Sequence, residues 1–136
     1  MIVFLTYLLF FLFFQSISIY GGDAGDLVTA AYVRGAAHPP GYPLYSMIGY
    51  ILGHIPISTV AWRVGLLSSI SSAGAMYVIY KIIHRLTHSH VPSIFTTALL
   101  VSNYLVWLYG IVPEVFALHI LLMSILIYIS ILYYFK

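Results

Sequence analysis

The chain has no cysteine, only three acidic residues and only five Lys or Arg among 136 positions. Each shortage excludes something. Without a thiol there is no disulfide framework, no zinc–thiolate site and no thiol nucleophile. A soluble domain carries ~25% charged residues; this chain carries 6%. It cannot present a solvated surface all round. The formal net charge of +2 is small, and its carriers are scattered, which argues against nucleic acid as a partner. What remains is apolar: 62% of residues are hydrophobic and the mean hydropathy is +1.05. Composition alone assigns the chain to the membrane class.

The first stretch, MIVFLTYLLFFLFFQSISIY, lacks a Lys/Arg-rich start and no A-x-A-like cleavage site follows it. It reads as a first transmembrane helix, with a cleaved signal peptide as the alternative. A spanning helix needs about 20 mostly apolar residues. Four segments meet that expectation: 2–19, 60–83, 93–110 and 114–135. A fifth apolar run, 44–55, is too short and is closed by Pro56, so it predicts an interfacial or re-entrant helix. The expected fold is an all-α membrane protein with about four transmembrane helices and two short membrane-parallel helices in the first outer loop. It forms one transmembrane domain over 1–136, with the loop at 20–56 carrying the candidate site. Lys81, Arg85 and Lys136 assign their ends to the cytoplasm by the positive-inside rule. The N-terminus is then cytoplasmic, and the 20–56 loop and the 111–113 turn lie outside. Arg63 sits against this assignment, either for a ligand or snorkelling to headgroups. Gly65, Ser68, Ser69, Ser72 and Ala73 form a small-residue face, and Gly49-x-x-x-Gly53 repeats the signal on the short helix.

The stretch GGDAGDLVTAAYVRGAAHPPGYP, from Gly21 to Pro43, is the one long segment a bilayer would reject. It holds Asp23, Asp26 and Arg34. On an ideal helix Asp23 and Arg34 fall within about 20° of each other and Asp26 about 60° to one side, so all three charges share a face. A carboxylate there can act as a general base or hold a divalent metal, and the arginine can hold a phosphate. The competing role is structural: Asp23 as an N-cap, Asp26 completing a capping-box pattern. Pro40-Gly41 suits a type II turn, and Pro43 the first turn of the next helix. His38, beside two prolines, is either structural or a ligand and proton carrier. Glu114 follows Pro113, where the helix dipole favours an acid, yet an acid at membrane depth is also a functional candidate. His119 is about 140° from Glu114 on a helix and does not share its face. His84, His88 and His90 stand beside Lys81 and Arg85 without a carboxylate, which favours a basic turn or lipid-headgroup contact over a metal site.

Three motifs together carry a resemblance. GGDAGDL, AHPPGYPL and WRVGLLS occur in that order, and PEVFALH follows. They resemble the N-terminal region of a family of polytopic membrane glycosyltransferases of the GT-C class, which includes transmembrane protein O-mannosyltransferases. The similarity covers roughly residues 20–125. The resemblance implies a multi-spanning enzyme that transfers a sugar, mannose being the family's instance, from a polyprenyl- or dolichyl-phosphate donor. The acceptor would lie outside the cytoplasm and be a protein Ser/Thr or a glycan. It implies Asp23 in the catalytic acidic position, with Asp26 beside it and Glu114 as a further acid. His119 departs from the family's usual Asn. Arg63, Arg34, His38 and Tyr42 are the expected substrate-binding residues, and Asp23 and Asp26 are the expected holders of a divalent metal if one is used. GT-C enzymes have many more spans, so the expected partners are the missing C-terminal part, the lipid-linked donor, the acceptor and membrane lipids. Two other functions compete: a non-catalytic assembly subunit, suggested by the small-residue faces, and half of a transporter. The span interiors, with mainly serines, Asn103 and His119, offer little for an ion path.

Overall fold

A computed structural model describes residues 1–135, and Lys136, the basic end expected after the last span, lies outside the described residues. All regular structure among them is helical. The helices are α1 (Ile2–Phe14), α2 (Ala24–Val33), α3 (Pro43–Gly53), α4 (Val60–Thr87), α5 (His90–Ser102), α6 (Tyr104–Ile111) and α7 (Phe116–Tyr134).

The frame is α4. Thr59, in an extended conformation, accepts a hydrogen bond from the Trp62 N–H and starts the helix. It runs for 28 residues, about 42 Å, and ends where His88 turns left-handed at φ 52°. Every other helix packs against it. Its N-terminal half carries α2 and α3 over a core of Leu27, Ala31, Tyr45, Val64 and Leu67. Its middle joins α1, α5 and α6 around Phe11, Ala73, Met76, Val101 and Ile111. Close approach explains the glycines of α3: a Cβ on Gly49 would stand 2.9 Å from the Ala31 Cβ. One turn on, a Cβ on Gly53 would meet Val64 at 3.4 Å. The small-residue face of α4 is buried as expected, with Ser68, Ser69 and Ala73 at 0% exposure.

The spans need correcting. The stretch 2–19 was expected to be helical throughout, but α1 has 13 residues and stops at Phe14. Gln15 breaks it: its amide turns inward, donating to the Trp62 carbonyl and accepting from the Ser69 hydroxyl at 2.8 Å. A helix of this length covers about 20 Å, less than a hydrocarbon core. The expected span 93–110 is two helices, α5 and α6, bent by 75°. Asn103 makes the break, because its Oδ1 accepts from the N–H groups of Leu105 and Val106 and so starts a new helix. By length and apolarity α4 and α7 can cross a membrane, and α5 with α6 makes a third crossing if the bent pair is one span. The all-helical membrane class therefore stands with two or three candidate crossings. Outward residues of α7 such as Leu126 and Ile129 are exposed at 58% and 56%, as lipid-facing positions should be.

Candidate active site

The acidic residues meet at the N-terminal end of α4. Asp23 occupies the N-cap position of α2, but its side chain makes no capping hydrogen bond. Asp26 does not complete a capping box either. Its Oδ2 accepts two hydrogen bonds from His38, one from the backbone N–H at 2.8 Å and one at the ring Nδ1 at 2.8 Å. The other ring nitrogen, Nε2, faces Asp23 Oδ2 at 3.5 Å. The imidazole therefore stands between the two carboxylates. The capping alternative fails because a better partner, folded back from twelve residues downstream, is within reach.

The Pro-rich turn brings His38 there. The turn closes over Pro39 and Pro40 instead of over Pro40-Gly41: the Gly41 N–H donates to the His38 carbonyl at 2.9 Å, and the Pro39–Pro40 peptide is cis. The type II expectation was off by one residue. Tyr42, left-handed at φ 43°, precedes Pro43 at the start of α3. Its ring packs edge-on against His38 with centroids 5.5 Å apart.

Glu114 lies behind this pair, between α6 and α7, and is only 7% exposed. Its main chain is hooked to α4: the Ser68 hydroxyl donates to the Glu114 carbonyl and accepts from its N–H, both at 3.1 Å. Gly22, at φ 75°, passes beside it; a Cβ there would lie 3.8 Å from the Glu114 Oε1. Below sits Tyr45, whose hydroxyl is buried without a hydrogen-bond partner among the described residues.

The electrostatics follow from these contacts. The His38 backbone N–H, then its ring, hold the Asp26 carboxyl below the ordinary value of 3.8. The Asp26 hydrogen bond, helped by the charge of Asp23, raises His38 above 6.5. Burial, then the like charge of Asp23, raises Glu114. Burial, then Glu114, pushes the Tyr45 phenol up. The site thus offers an exposed carboxylate, an oriented imidazole that favours its cationic form, and a buried acid inclined to keep its proton.

The remaining expected residues lie elsewhere. Arg34 does not share a face with the aspartates, because α2 ends at Val33 and Arg34 turns left-handed at φ 56°. Its guanidinium stacks on Tyr50 at 3.9 Å, on the wall of an apolar cavity of about 620 Å³ lined also by Leu44, Met47 and Ile51. Arg63 donates from Nη1 to the Ile55 carbonyl at 2.6 Å and from Nε to the Thr59 carbonyl at 3.2 Å, tying the α3–α4 connection. His119 is exposed on α7. Among the described residues no three of His, Asp and Glu are grouped to hold a metal ion; both carboxylates turn an oxygen to His38 instead. Sequence reasoning missed Gln15, Ser68 and Tyr45. A lone amide inside an apolar run and a hydroxyl on a small-residue face were the available signals for the first two. Nothing local marked Tyr45.

Comparison with known proteins agrees with these motifs. The pattern of the protein O-mannosyl-transferase TMEM260 N-terminal domain matches residues 23–135. The chain is similar to a protein O-mannosyl-transferase tmem260 of Dictyostelium discoideum, 35% identical over 119 residues, 85% of this chain and 14% of the relative. It is similar to a protein O-mannosyl-transferase TMEM260 of Mus musculus, 36% identical over 115 residues, 84% of this chain and 16% of the relative. The chain thus spans about one sixth of the length of these curated relatives, or less. No solved structure matches it.

Proposed function

This chain belongs to the family of protein O-mannosyl-transferase TMEM260 N-terminal domains, and from that premise we propose that it carries the acidic site of a membrane glycosyltransferase. The reaction is transfer of mannose from a lipid-phosphate donor to a protein hydroxyl outside the cytoplasm. The observation that carries this reading is the His38 imidazole held between Asp23 and Asp26 on an accessible rim, with buried Glu114 behind it.

In the proposed step the acceptor oxygen attacks the anomeric carbon. The bond from that carbon to the phosphate oxygen breaks, and its electron pair leaves with the lipid phosphate. Asp23, 65% exposed and free of a capping role, takes the hydroxyl proton. Asp26 fixes the orientation of His38 by accepting from Nδ1–H, and the cationic ring turns its Nε2–H toward the Asp23 carboxylate. His38 and Asp26 are positioning residues. Of the two candidate cations, Arg34 suits the donor phosphate better, because it edges an apolar cavity able to take the first units of a lipid chain. Two donors of Arg63 are already given to backbone carbonyls. The assembly-subunit alternative loses its motive, since the small-residue face of α4 is covered by Gln15, Gly110 and Glu114 of the same chain.

The test is transfer of labelled mannose from a polyprenyl-phosphate donor in membranes holding the longest natural form of the protein. Asp23→Asn should lower transfer by about 10²–10⁴-fold at unchanged expression. Equal transfer by both proteins would remove Asp23 from the chemistry.

A further inference from the structure

We propose that the opposite end of α4 is a second, independent binding site, for a phosphate monoester. A pocket of about 690 Å³ opens between the last turns of α4, the start of α5, α7 and the first residues of α1. Lys81 and Arg85, one helical turn apart, both line it. The Lys81 ammonium lies between the rings of Tyr77 and Tyr128, 5.8 and 5.2 Å from their centroids. The His84 and His90 rings are tilted with centroids 4.4 Å apart, and the Tyr80 hydroxyl engages His90 Nδ1 at 2.6 Å, so that Nε2 is the ring nitrogen left for a ligand.

The pocket has no acid. All three acidic residues are at the other end of the molecule, and among the described residues both ion pairs are made by His38. Lys81 is flanked by rings, and among the described residues neither Lys81 nor Arg85 has a carboxylate to neutralise it. Two full cations, two imidazoles and three tyrosines lining one space suit an anion with more than one charge and several acceptor oxygens. A phosphate monoester has both, and a carboxylate has neither. The walls contributed by Ile2 and Val3 are apolar, so the phosphate can belong to a lipid headgroup or to a soluble molecule.

The experiment is native mass spectrometry of the full chain released from detergent micelles, offered equal amounts of phosphatidic acid and phosphatidylcholine, with and without inorganic phosphate. Wild-type protein should retain phosphatidic acid at least about tenfold over phosphatidylcholine. Lys81→Gln and Arg85→Gln should each cut that retention about fivefold, and Lys81→Arg should keep it. Both side chains are exposed, and circular dichroism checks that the variants stay helical. Retention that millimolar inorganic phosphate leaves intact assigns the site to a lipid phosphate. Displacement of the lipid by inorganic phosphate assigns it to a soluble one. Equal retention of the two lipids by wild type without phosphate binding, or a preference that survives the double substitution, overturns the proposal.

Discussion

The two ends of α4 gather charge in different ways. At the basic end Lys81, His84 and Arg85 lie within about one turn of a single helix, and the rings of Tyr77 and Tyr128 flank Lys81. At the acidic end Asp26, His38 and Glu114 come from three separate stretches, and hydrogen bonds hold them in place. The first arrangement needs only that α4 be a helix. The second needs α2 and α3 to fold over α4 and the 112–115 connection to be hooked beneath them. Substitutions far from any charge should therefore damage the acidic end and leave the basic end intact.

The largest such effect is expected from Gly49→Leu. The new side chain has no room against Ala31 and Val64, so α3 must lift off α2 and α4. Overpacking of this kind costs about 3 kcal/mol. Thermal unfolding in detergent should fall accordingly, and hydrogen exchange should rise over α2 and α3 but not over the last turns of α4. Ser68→Ala comes next, at about 2 kcal/mol, because it strands the buried Glu114 N–H. Amide exchange at Glu114 measures it, and protection equal to wild type would show that the hook does not hold the site.

A pH experiment sharpens the comparison further. His38 is raised, so its contribution is whole below 6.5 and is lost as pH climbs through its raised value. Asp26 is lowered, so its contribution is whole above 3.8 and is lost as pH falls through its lowered value. The tie between α2 and the Pro-rich turn should be tightest between those limits. Asp26→Asn should bring the His38 titration, followed by NMR, back toward 6.5. Asp23→Asn should move it less, since Asp23 lies farther off, at 3.5 Å. The smallest effect is Arg34→Ala. Losing the stack on Tyr50 costs roughly 0.5–1 kcal/mol at an exposed site, so a small shift in melting should accompany any loss of donor affinity.

Much of this was legible beforehand. The run from Val60 onward predicted α4, and Pro43 marked the start of α3. The pattern Gly49-x-x-x-Gly53 announced a close helix contact. The three acids were identified as candidates, and the Asp23–Asp26 spacing put them on one turn of α2. Arg34 was misjudged because a helical wheel assumes that the helix continues, and α2 stops one residue short of it. The continuous span 93–110 was misjudged because hydropathy averages over Asn103, whereas a single side-chain oxygen capping two N–H groups is enough to redirect the chain by 75°. Capping competed with a site role for Asp26 because the partner it takes, His38, is distant in sequence.

The sequence by itself determined the class, the helices and the chemistry available. Apolar composition and helical periodicity are local properties, and a bilayer leaves the backbone few alternatives to helix. It also determined that the acids are few, so that any acidic chemistry supplied by these 136 residues must use Asp23, Asp26 or Glu114. Only the tertiary structure decided that His38 lies between two of those acids, that Ser68 fixes the third, and that Arg34 leaves their helix face for the wall of an apolar cavity. The first two outcomes are competitions among hydrogen-bond partners, won by whichever group the folded chain brings within about 3 Å, and the third follows from the end of α2 and the stack on Tyr50.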